Sequence, residues 1–206
     1  MLRGHRIVAV LRTETTAPLL PLCEALVAGG MTAIELTMTI PGALEALVKL
    51  RKHFGAKVIW GIGSITSPKQ ASAAVDAGAE FLVSPILWLP LLRIAHRAKR
   101  LAIPAGATPT EIHAAWSAGA DYVKVFPAHL LGGVEYIKAL RGPLPQLPLI
   151  PSGGVDESNI ADYFRAGCPV VNVGSNLVRK ELVAAWKFDP ITALTKDLVA
   201  AANKAR

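Results

Sequence analysis

Two charged residues lie inside segments that are otherwise apolar. Lys124 is the central residue of Tyr122–Phe126, and Glu35 is the central residue of Ala33–Thr37. Burial disfavours an ammonium ion, so an apolar setting lowers the pKa of a lysine and frees its amine as a nucleophile. A carboxyl group nearby can move the protons that addition of an amine to a ketone requires. The two residues therefore predict Schiff-base chemistry.

Both residues also have structural interpretations, which the sequence leaves open. Lys124 either reacts, or forms a buried salt bridge, or extends its ammonium group to the end of the strand. Glu35 either moves protons or is the partner in that salt bridge. The chemical role is favoured for Glu35, because a buried ion pair often adds little stability.

Two glycine-containing turns follow two later apolar segments. One turn is Ser152-Gly153-Gly154 and the other is Gly174-Ser175. Glycines allow backbone N–H groups to approach an anion closely, and phosphates commonly occupy such turns. We therefore expect these five residues to bind phosphate, although ordinary tight turns have the same composition.

An internal repeat indicates how these residues are brought together. Four times an apolar helical stretch ends in Ala-Gly and passes into an apolar run, which is typical of a helix cap followed by a buried strand. The four glycines are Gly29, Gly78, Gly119 and Gly167. With the intervening runs, eight strands are predicted: Ile7–Leu11, Ala33–Thr37, Val58–Ile62, Phe81–Ser84, Leu101–Ala105, Tyr122–Phe126, Leu149–Ser152 and Val170–Val173.

Apolar strands that alternate with helices predict an α/β fold with a parallel sheet. Helices are expected to begin at Ser67-Pro68, Thr108-Pro109 and Asp156-Glu157, and Pro190–Arg206 is expected to form a closing helix. Eight units predict a single (β/α)8 TIM barrel over residues 1–206. The alternative is an open doubly wound sheet, but the evenness of the repeat favours the barrel.

Barrel active sites lie at the C-terminal ends of the strands. Besides the residues above, four polar side chains are expected at those ends: Arg12, Thr37, Ser64 and Thr108. We expect them to bind the carboxylate or hydroxyl groups of a substrate.

Composition limits the class of protein and of partner. The chain has 206 residues, 52% of them hydrophobic, and a net charge of +7. Intrinsic disorder is excluded, and no apolar stretch is long enough for a membrane span. The basic residues are scattered, which favours a solvated surface or an anionic small molecule over nucleic acid.

Metal and disulfide frameworks are not expected. The histidines show no metal-ligand spacing, and Cys23 and Cys168 lie far apart, as in a protein of the reducing cytoplasm. A secretory signal peptide is also not expected, because the first apolar run ends at Arg12. His129 follows Phe126-Pro127-Ala128 and either contacts the substrate or faces solvent.

Five segments, taken in order, resemble the class I aldolases that act on 2-keto-3-deoxy-6-phosphogluconate, on its galactonate epimer and on 4-hydroxy-2-oxoglutarate. The segments are Ile7–Arg12, Ala33–Thr37, Trp60–Ser64, Tyr122–Ala128 and Pro151–Val155. The resemblance implies a small barrel, a homotrimer, and no metal or other cofactor. It implies that Lys124 is the Schiff-base lysine and Glu35 the acid/base. It also implies that Gly153, Gly154, Gly174 and Ser175 form the phosphate loops.

The chain departs from the pattern of this family at several positions. Thr39 stands where the gluconate and hydroxyglutarate branches usually have a carboxylate-binding arginine. Ser64 and Ser152 each stand where threonine is usual. Arg12 and Tyr136–Leu140 look closer to the galactonate branch, so Arg12 is expected to bind the substrate carboxylate as a bidentate guanidinium.

The resemblance implies a cytoplasmic lyase. Lys124 would attack the C2 ketone of a 2-keto-3-deoxy-6-phospho sugar acid of galactonate or gluconate type. Glu35 would then remove the C4 hydroxyl proton through a water, which releases glyceraldehyde 3-phosphate and leaves pyruvate. One alternative is another phosphate-binding barrel enzyme, such as a sugar-phosphate epimerase; another is a non-catalytic barrel that binds a phosphorylated metabolite.

Overall fold

Strands and helices alternate along the chain in the computed structural model, which describes residues 2–205. The strands are β1 Ile7–Leu11, β2 Ala33–Thr37, β3 Ile59–Gly63, β4 Phe81–Val83, β5 Leu101–Ile103, β6 Ala105–Gly106, β7 Val123–Val125, β8 Leu149–Pro151 and β9 Val171–Val173. The helices are α1 Leu19–Ala28, α2 Ala43–Phe54, α3 Pro68–Asp76, α4 Pro90–Arg97, α5 Pro109–Ser117, α6 Gly133–Arg141, α7 Ile160–Arg165, α8 Lys180–Ala184 and α9 Asp189–Lys204. The predicted alternation of strands and helices is confirmed.

Every strand pairing is parallel. A curled sheet has the order β5-β4-β3-β2-β1-β9, and a second sheet has the order β6-β7-β8. A single parallel bridge between Ser152 and Asn172 links the end of β8 to β9. The fold is therefore a mixed α/β fold built on parallel strands and a curled half-barrel sheet, with all strand C-termini at one edge.

Pro104 divides one predicted strand. The predicted strand Leu101–Ala105 is present as β5 and β6, so its prediction as one strand is wrong. Proline has no N–H to donate to a neighbouring strand, which interrupts the ladder. Its carbonyl still accepts a hydrogen bond from the backbone N–H of Lys124 at 2.9 Å, so β7 keeps its position at the break.

Helix boundaries follow the capping residues in two cases and not in a third. Ser67 and Thr108 cap α3 and α5 as predicted, each accepting from the backbone N–H three residues later. The predicted start at Asp156-Glu157 is wrong, because α7 begins at Ile160. Asp156 instead closes a local turn, in which its carboxylate accepts from the backbone N–H of Ser158 at 2.9 Å.

The closing helix is present as α9 and packs on α1. The hydroxyl of Thr192 donates to the carbonyl of Ala25 at 3.1 Å, and Gly29 leaves room for Thr195. Arg206, the predicted end of this helix, and Met1, the first residue of the predicted domain, lie outside the described residues. None of the described helices combines the length and apolar character that a membrane crossing needs.

The strands separate two apolar cores. The larger core fills the space between strands and helices and includes Val123 and Val125. The smaller core lies on the other face of the strands: Leu2, Val8, Ala33, Phe81, Val83, Ile103, Tyr122, Ile150 and Val170. Because side chains alternate along a strand, Lys124 lies on the face of Tyr122, and Glu35 lies on the face of Ala33. Both charged residues therefore point to the inner, concave side of the sheet.

Candidate active site

The two charged residues of the inner face are both buried. Glu35 on β2 is 1% exposed, and Lys124 on β7 is 7% exposed. The ammonium nitrogen of Lys124 lies 5.2 Å from the centre of the Phe126 ring, which is within the range of a cation–π contact. This ring replaces part of the hydration that the ammonium group loses on burial.

The carboxyl group of Glu35 has no hydrogen-bond partner among the described residues for either oxygen. Burial raises its pKa, while the positive charges of Lys124 and Arg12 act in the opposite direction. No oxygen of Glu35 lies within 4.0 Å of the Lys124 nitrogen, as an ion pair would require. The charge of Lys124 therefore acts on Glu35 without a direct contact between the two groups.

Gly63 provides the space that the Glu35 side chain occupies. It lies on β3 opposite Thr37, and a Cβ built at Gly63 would overlap the carboxyl group of Glu35. The sequence fits this requirement, because only glycine lacks the Cβ that would displace the carboxyl group.

A cavity of about 300 Å³ opens at the strand C-termini and reaches Lys124. It combines seven of the residues that the sequence singled out: Arg12, Lys124, Ser152, Gly153, Gly154, Gly174 and Ser175. The fold thus brings these seven residues around one cavity, and their roles toward a substrate remain predictions.

The turn after β8 has the backbone shape of an anion-binding loop. Gly153 and Gly154 have φ angles of +94° and +76°, which glycine adopts without strain. Asn159 donates to the carbonyl of Gly154 at 2.8 Å, and Asn176 donates to the carbonyl of Val155 at 3.1 Å. The amides thus fix the turn and join it to the loop after β9. Successive N–H groups in such conformations form a concavity for an anion.

Four predicted residues do not line this cavity as it is described: Glu35, Thr37, Ser64 and Thr108. The hydroxyl of Thr37 donates to the carbonyl of Leu11 at 3.1 Å and lies 2.8 Å from the hydroxyl of Thr39. The hydroxyl of Thr108 belongs to the cap of α5 and donates to Glu111 at 2.9 Å. Ser64 has a φ of +61°, which is uncommon for a residue with a side chain. Their contacts with a substrate remain predictions.

Three polar residues at this edge of the sheet were not identified from the sequence: Asn172, Asn176 and Lys180. Asn172 is 3% exposed in β9, and the signal was present, because Val170–Val173 is otherwise apolar. Lys180 lines the cavity from the start of α8. No pattern identified Lys180, since it lies among other exposed charged residues. No group of three His, Cys, Asp or Glu side chains able to hold a metal ion occurs in residues 2–205.

Comparison with known proteins adds an independent result. The family model for KDPG and KHG aldolase, an aldolase family, matches residues 1–194. The KHG/KDPG aldolase of Escherichia coli (strain K12) is 32% identical over 197 residues, which cover 96% of this chain and 92% of that protein. The 2-dehydro-3-deoxy-phosphogluconate aldolase of Dickeya dadantii (strain 3937) is 34% identical over 183 residues, covering 89% and 85% of the two chains.

A solved structure agrees with these relatives. It is that of KDPG aldolase from Legionella pneumophila, in which pyruvate is captured as a covalent carbinolamine intermediate. It has a TM-score of 0.88 and 30% identity, and the match covers 96% of this chain and 95% of that one. The buried lysine and carboxyl group, the glycine turns and the similarity over nearly the whole chain lead to one conclusion: the chain is a lyase, and it belongs to the KDPG and KHG aldolase family.

Proposed function

We propose that this aldolase cleaves a 2-keto-3-deoxy-6-phospho sugar acid to pyruvate and glyceraldehyde 3-phosphate through a Schiff base on Lys124. One observation carries the proposal: a buried amine lines a cavity that ends in two glycine turns, and a buried, unpartnered carboxyl group lies on the same inner face of the sheet. A ketone at one end of the substrate and a phosphate at the other match this arrangement. The pyruvate carbinolamine in the Legionella relative supports the same chemistry.

The proposed steps use only these side chains and water. The neutral amine of Lys124 attacks the C2 ketone, and loss of water from the carbinolamine gives an iminium ion. Glu35, through a water molecule, accepts the C4 hydroxyl proton while the C3–C4 bond breaks. The electron pair of that bond passes into the iminium group and forms an enamine, and the aldehyde leaves. Protonation at C3 and addition of water then release pyruvate and restore the lysine.

Binding groups surround this centre. We assign the substrate carboxylate to Arg12, which is close enough to the centre to lower the pKa of Glu35. We assign the phosphate to the turns formed by Ser152, Gly153, Gly154, Gly174 and Ser175. Thr37, Ser64 and Thr108 remain candidates for substrate hydroxyl groups. We expect no metal or other cofactor, because the iminium nitrogen already provides the electron sink.

The galactonate epimer is proposed as a substrate at least as good as the gluconate epimer. The reason is that Thr39 replaces the arginine usual in the gluconate branch, and its hydroxyl is already paired with that of Thr37. The relatives named for phosphogluconate make the gluconate epimer the second candidate.

The assembly proposed is a closed (β/α)8 barrel that forms a homotrimer in the cytoplasm. Closure is supported by the pairing of the first and last strands and by the bridge at Ser152. A trimer interface is supported by exposed apolar side chains, such as Ile86, Leu89 and Leu130. Sedimentation equilibrium tests the trimer, because the measured particle mass should be three times the mass of one chain.

A product assay tests the proposed function. Each purified epimer is incubated with the enzyme, and pyruvate release is followed with a coupled lactate dehydrogenase reaction, with Lys124→Ala as the control. Pyruvate from both epimers, with kcat/KM at least as high for galactonate, is the expected result. Interconversion of epimers without pyruvate would support an epimerase, and binding without turnover would support a non-catalytic barrel. A clear preference for gluconate would contradict the epimer assignment.

A further inference from the structure

Lys180 gives the reaction cavity a third positive charge. The cationic residues that line the cavity are Arg12, Lys124 and Lys180, and no aspartate or glutamate is among its described lining residues. Lys180 takes part in no ion pair among the residues described. Its ammonium group is therefore not held in an ion pair by these residues and can approach a ligand.

The loop after β9 holds Lys180 in place. The backbone N–H of Val178 donates to the carbonyl of Gly174 at 2.9 Å, and the side chains of Leu177 and Val178 are buried. Asn176 ties the same loop to the turn after β8. The buried side chains of Leu177 and Val178 thus fix the backbone just before Lys180, whose own side chain is exposed.

The two rim cations, which also border one neighbouring depression together, differ in their other neighbours. Arg12 affects the pKa of Glu35, but Lys180 does not contribute to that shift. Lys180 instead borders another depression on this face together with Ser175 and Asn176. Three acidic residues border the same depression, and none of them forms an ion pair with Lys180: Asp156, Glu157 and Glu181. Arg12 is therefore within electrostatic range of Glu35, and Lys180 lies beside the turn that contains Ser175.

The ligand carries charge at both ends as well. A sugar acid phosphate has a carboxylate next to the ketone, and its phosphate carries a charge of about −1.5 to −2 at neutral pH. Backbone N–H groups provide hydrogen bonds to such a phosphate but no full positive charge. A lysine ammonium group is a suitable additional partner, because it acts as a point charge toward phosphate oxygens.

We infer that Lys180 binds the substrate phosphate and makes this enzyme selective for phosphorylated keto acids. The inference rests on the proposed function only for the identity of the substrate. It assigns the phosphate end to a side chain as well as to the backbone turns, and it leaves the carboxylate end to Arg12.

Lys180→Met tests the inference, because methionine keeps most of the apolar stem and removes the charge. The matched control is Lys187→Met, which removes the same charge from an exposed lysine that lines none of the cavities described at this face. We expect Lys180→Met to raise KM for the phosphorylated keto acid about tenfold, with kcat nearly constant. The KM of unphosphorylated 2-keto-3-deoxygluconate should not change, and Lys187→Met should match the wild type for both substrates.

Binding of inorganic phosphate, measured by calorimetry, gives a readout that does not depend on turnover. Affinity should fall about tenfold in Lys180→Met and not in Lys187→Met. Equal phosphate affinity in the two variants, or equal losses for phosphorylated and unphosphorylated substrates, would overturn the inference. If the proposed substrates are not cleaved at all, the function fails, but the calorimetric comparison still decides the role of Lys180.

Discussion

The interior of the site (Glu35 and Lys124) and its rim (Arg12 and Lys180) hold their charged groups in opposite environments. In the interior, on the inner face of the sheet, Glu35 and Lys124 are almost completely buried, and neither Glu35 oxygen has a hydrogen-bond partner among the described residues. At the rim, Arg12 and Lys180 are exposed to solvent. Water screens the rim charges, whereas burial raises the pKa of the Glu35 carboxyl group.

This difference separates chemistry from binding. A buried carboxyl group without partners is unfavourable for stability, and such arrangements are typical of active sites. Exposed cations and backbone N–H groups can bind an anion, and in the free protein they do not greatly lower the stability of the fold. Changes in the interior should therefore lower kcat, and changes at the rim should raise KM.

The largest effect is expected at Lys124. Lys124→Ala removes the nucleophile and should abolish turnover, measured as pyruvate release. Lys124→Arg should not restore it, because a guanidinium does not lose its proton near neutral pH. Circular dichroism should show that both variants fold. Turnover by the arginine variant would mean that the residue acts as a cation and not as a nucleophile.

Glu35→Gln should lower kcat by about 10²- to 10⁴-fold, the range for loss of a general acid/base. The side-chain shape is kept, so KM should change much less. Rapid-quench borohydride trapping should also show slower Schiff-base formation. A loss of turnover below about threefold would make Glu35 a structural residue.

Gly63→Ala tests the interior without touching a charged group. The added Cβ would displace the Glu35 carboxyl group, and misplacement by about 1 Å can cost 10²-fold in rate. We expect a fall in kcat of about that size with KM nearly constant. Gly4→Ala is the matched control, because no atom lies within 4 Å of a Cβ at that position. Equal activity of the two variants would show that the position of Glu35 is not critical.

Arg12→Ala tests the rim. Loss of a charge-assisted hydrogen bond to the carboxylate should raise KM by about 10- to 150-fold. Inhibition by free glyceraldehyde 3-phosphate should hardly change, since that product lacks the carboxylate. Because Arg12 lowers the pKa of Glu35, the acidic limb of the pH profile should also move to higher pH. Arg93→Ala, an exposed change on α4, is the control, and a silent Arg12→Ala would contradict the assignment.

The smallest effect concerns stability. Burial raises the pKa of Glu35 in the folded state, so the wild type loses stability as pH rises from the ordinary glutamate range through the raised value. Glu35→Gln should therefore have the higher Tm at neutral pH, with an advantage that grows with pH and is smallest in acid. Each kcal/mol corresponds to roughly 2–4 °C in a chain of this size. The measurement is Tm as a function of pH from 4 to 8 for the wild type, for Glu35→Gln and for the surface control Glu45→Gln. A Tm difference between Glu35→Gln and the wild type that stays constant with pH would contradict this prediction.

Sequence patterns predicted the interior better than the rim. A charged residue within an apolar strand identified Glu35 and Lys124, because burial makes such a residue unusual. The alternation of apolar and glycine-containing segments predicted the parallel strands and brought the two glycine turns together. Lys180 could not be found in this way, since an exposed lysine is ordinary until the fold places it beside a cavity.

Local chemistry also decided where prediction failed. Pro104 divided a strand that hydrophobicity alone predicted as continuous, because hydrophobicity does not count missing N–H donors. Helix α7 begins at Ile160 and not at Asp156, because the Asp156 side chain forms a local turn. The hydroxyl groups of Thr37, at the end of β2, and Thr39, in the following loop, lie 2.8 Å apart. Sequence spacing alone does not predict this contact.

Covalent trapping tests the central claim most directly. The protein is incubated with pyruvate and borohydride, digested, and mapped by mass spectrometry, with Lys124→Ala and untreated protein in parallel. The account predicts one pyruvate-derived mass on Lys124 and none in the variant. An unmodified protein, or a label on another lysine such as Lys138, would contradict it.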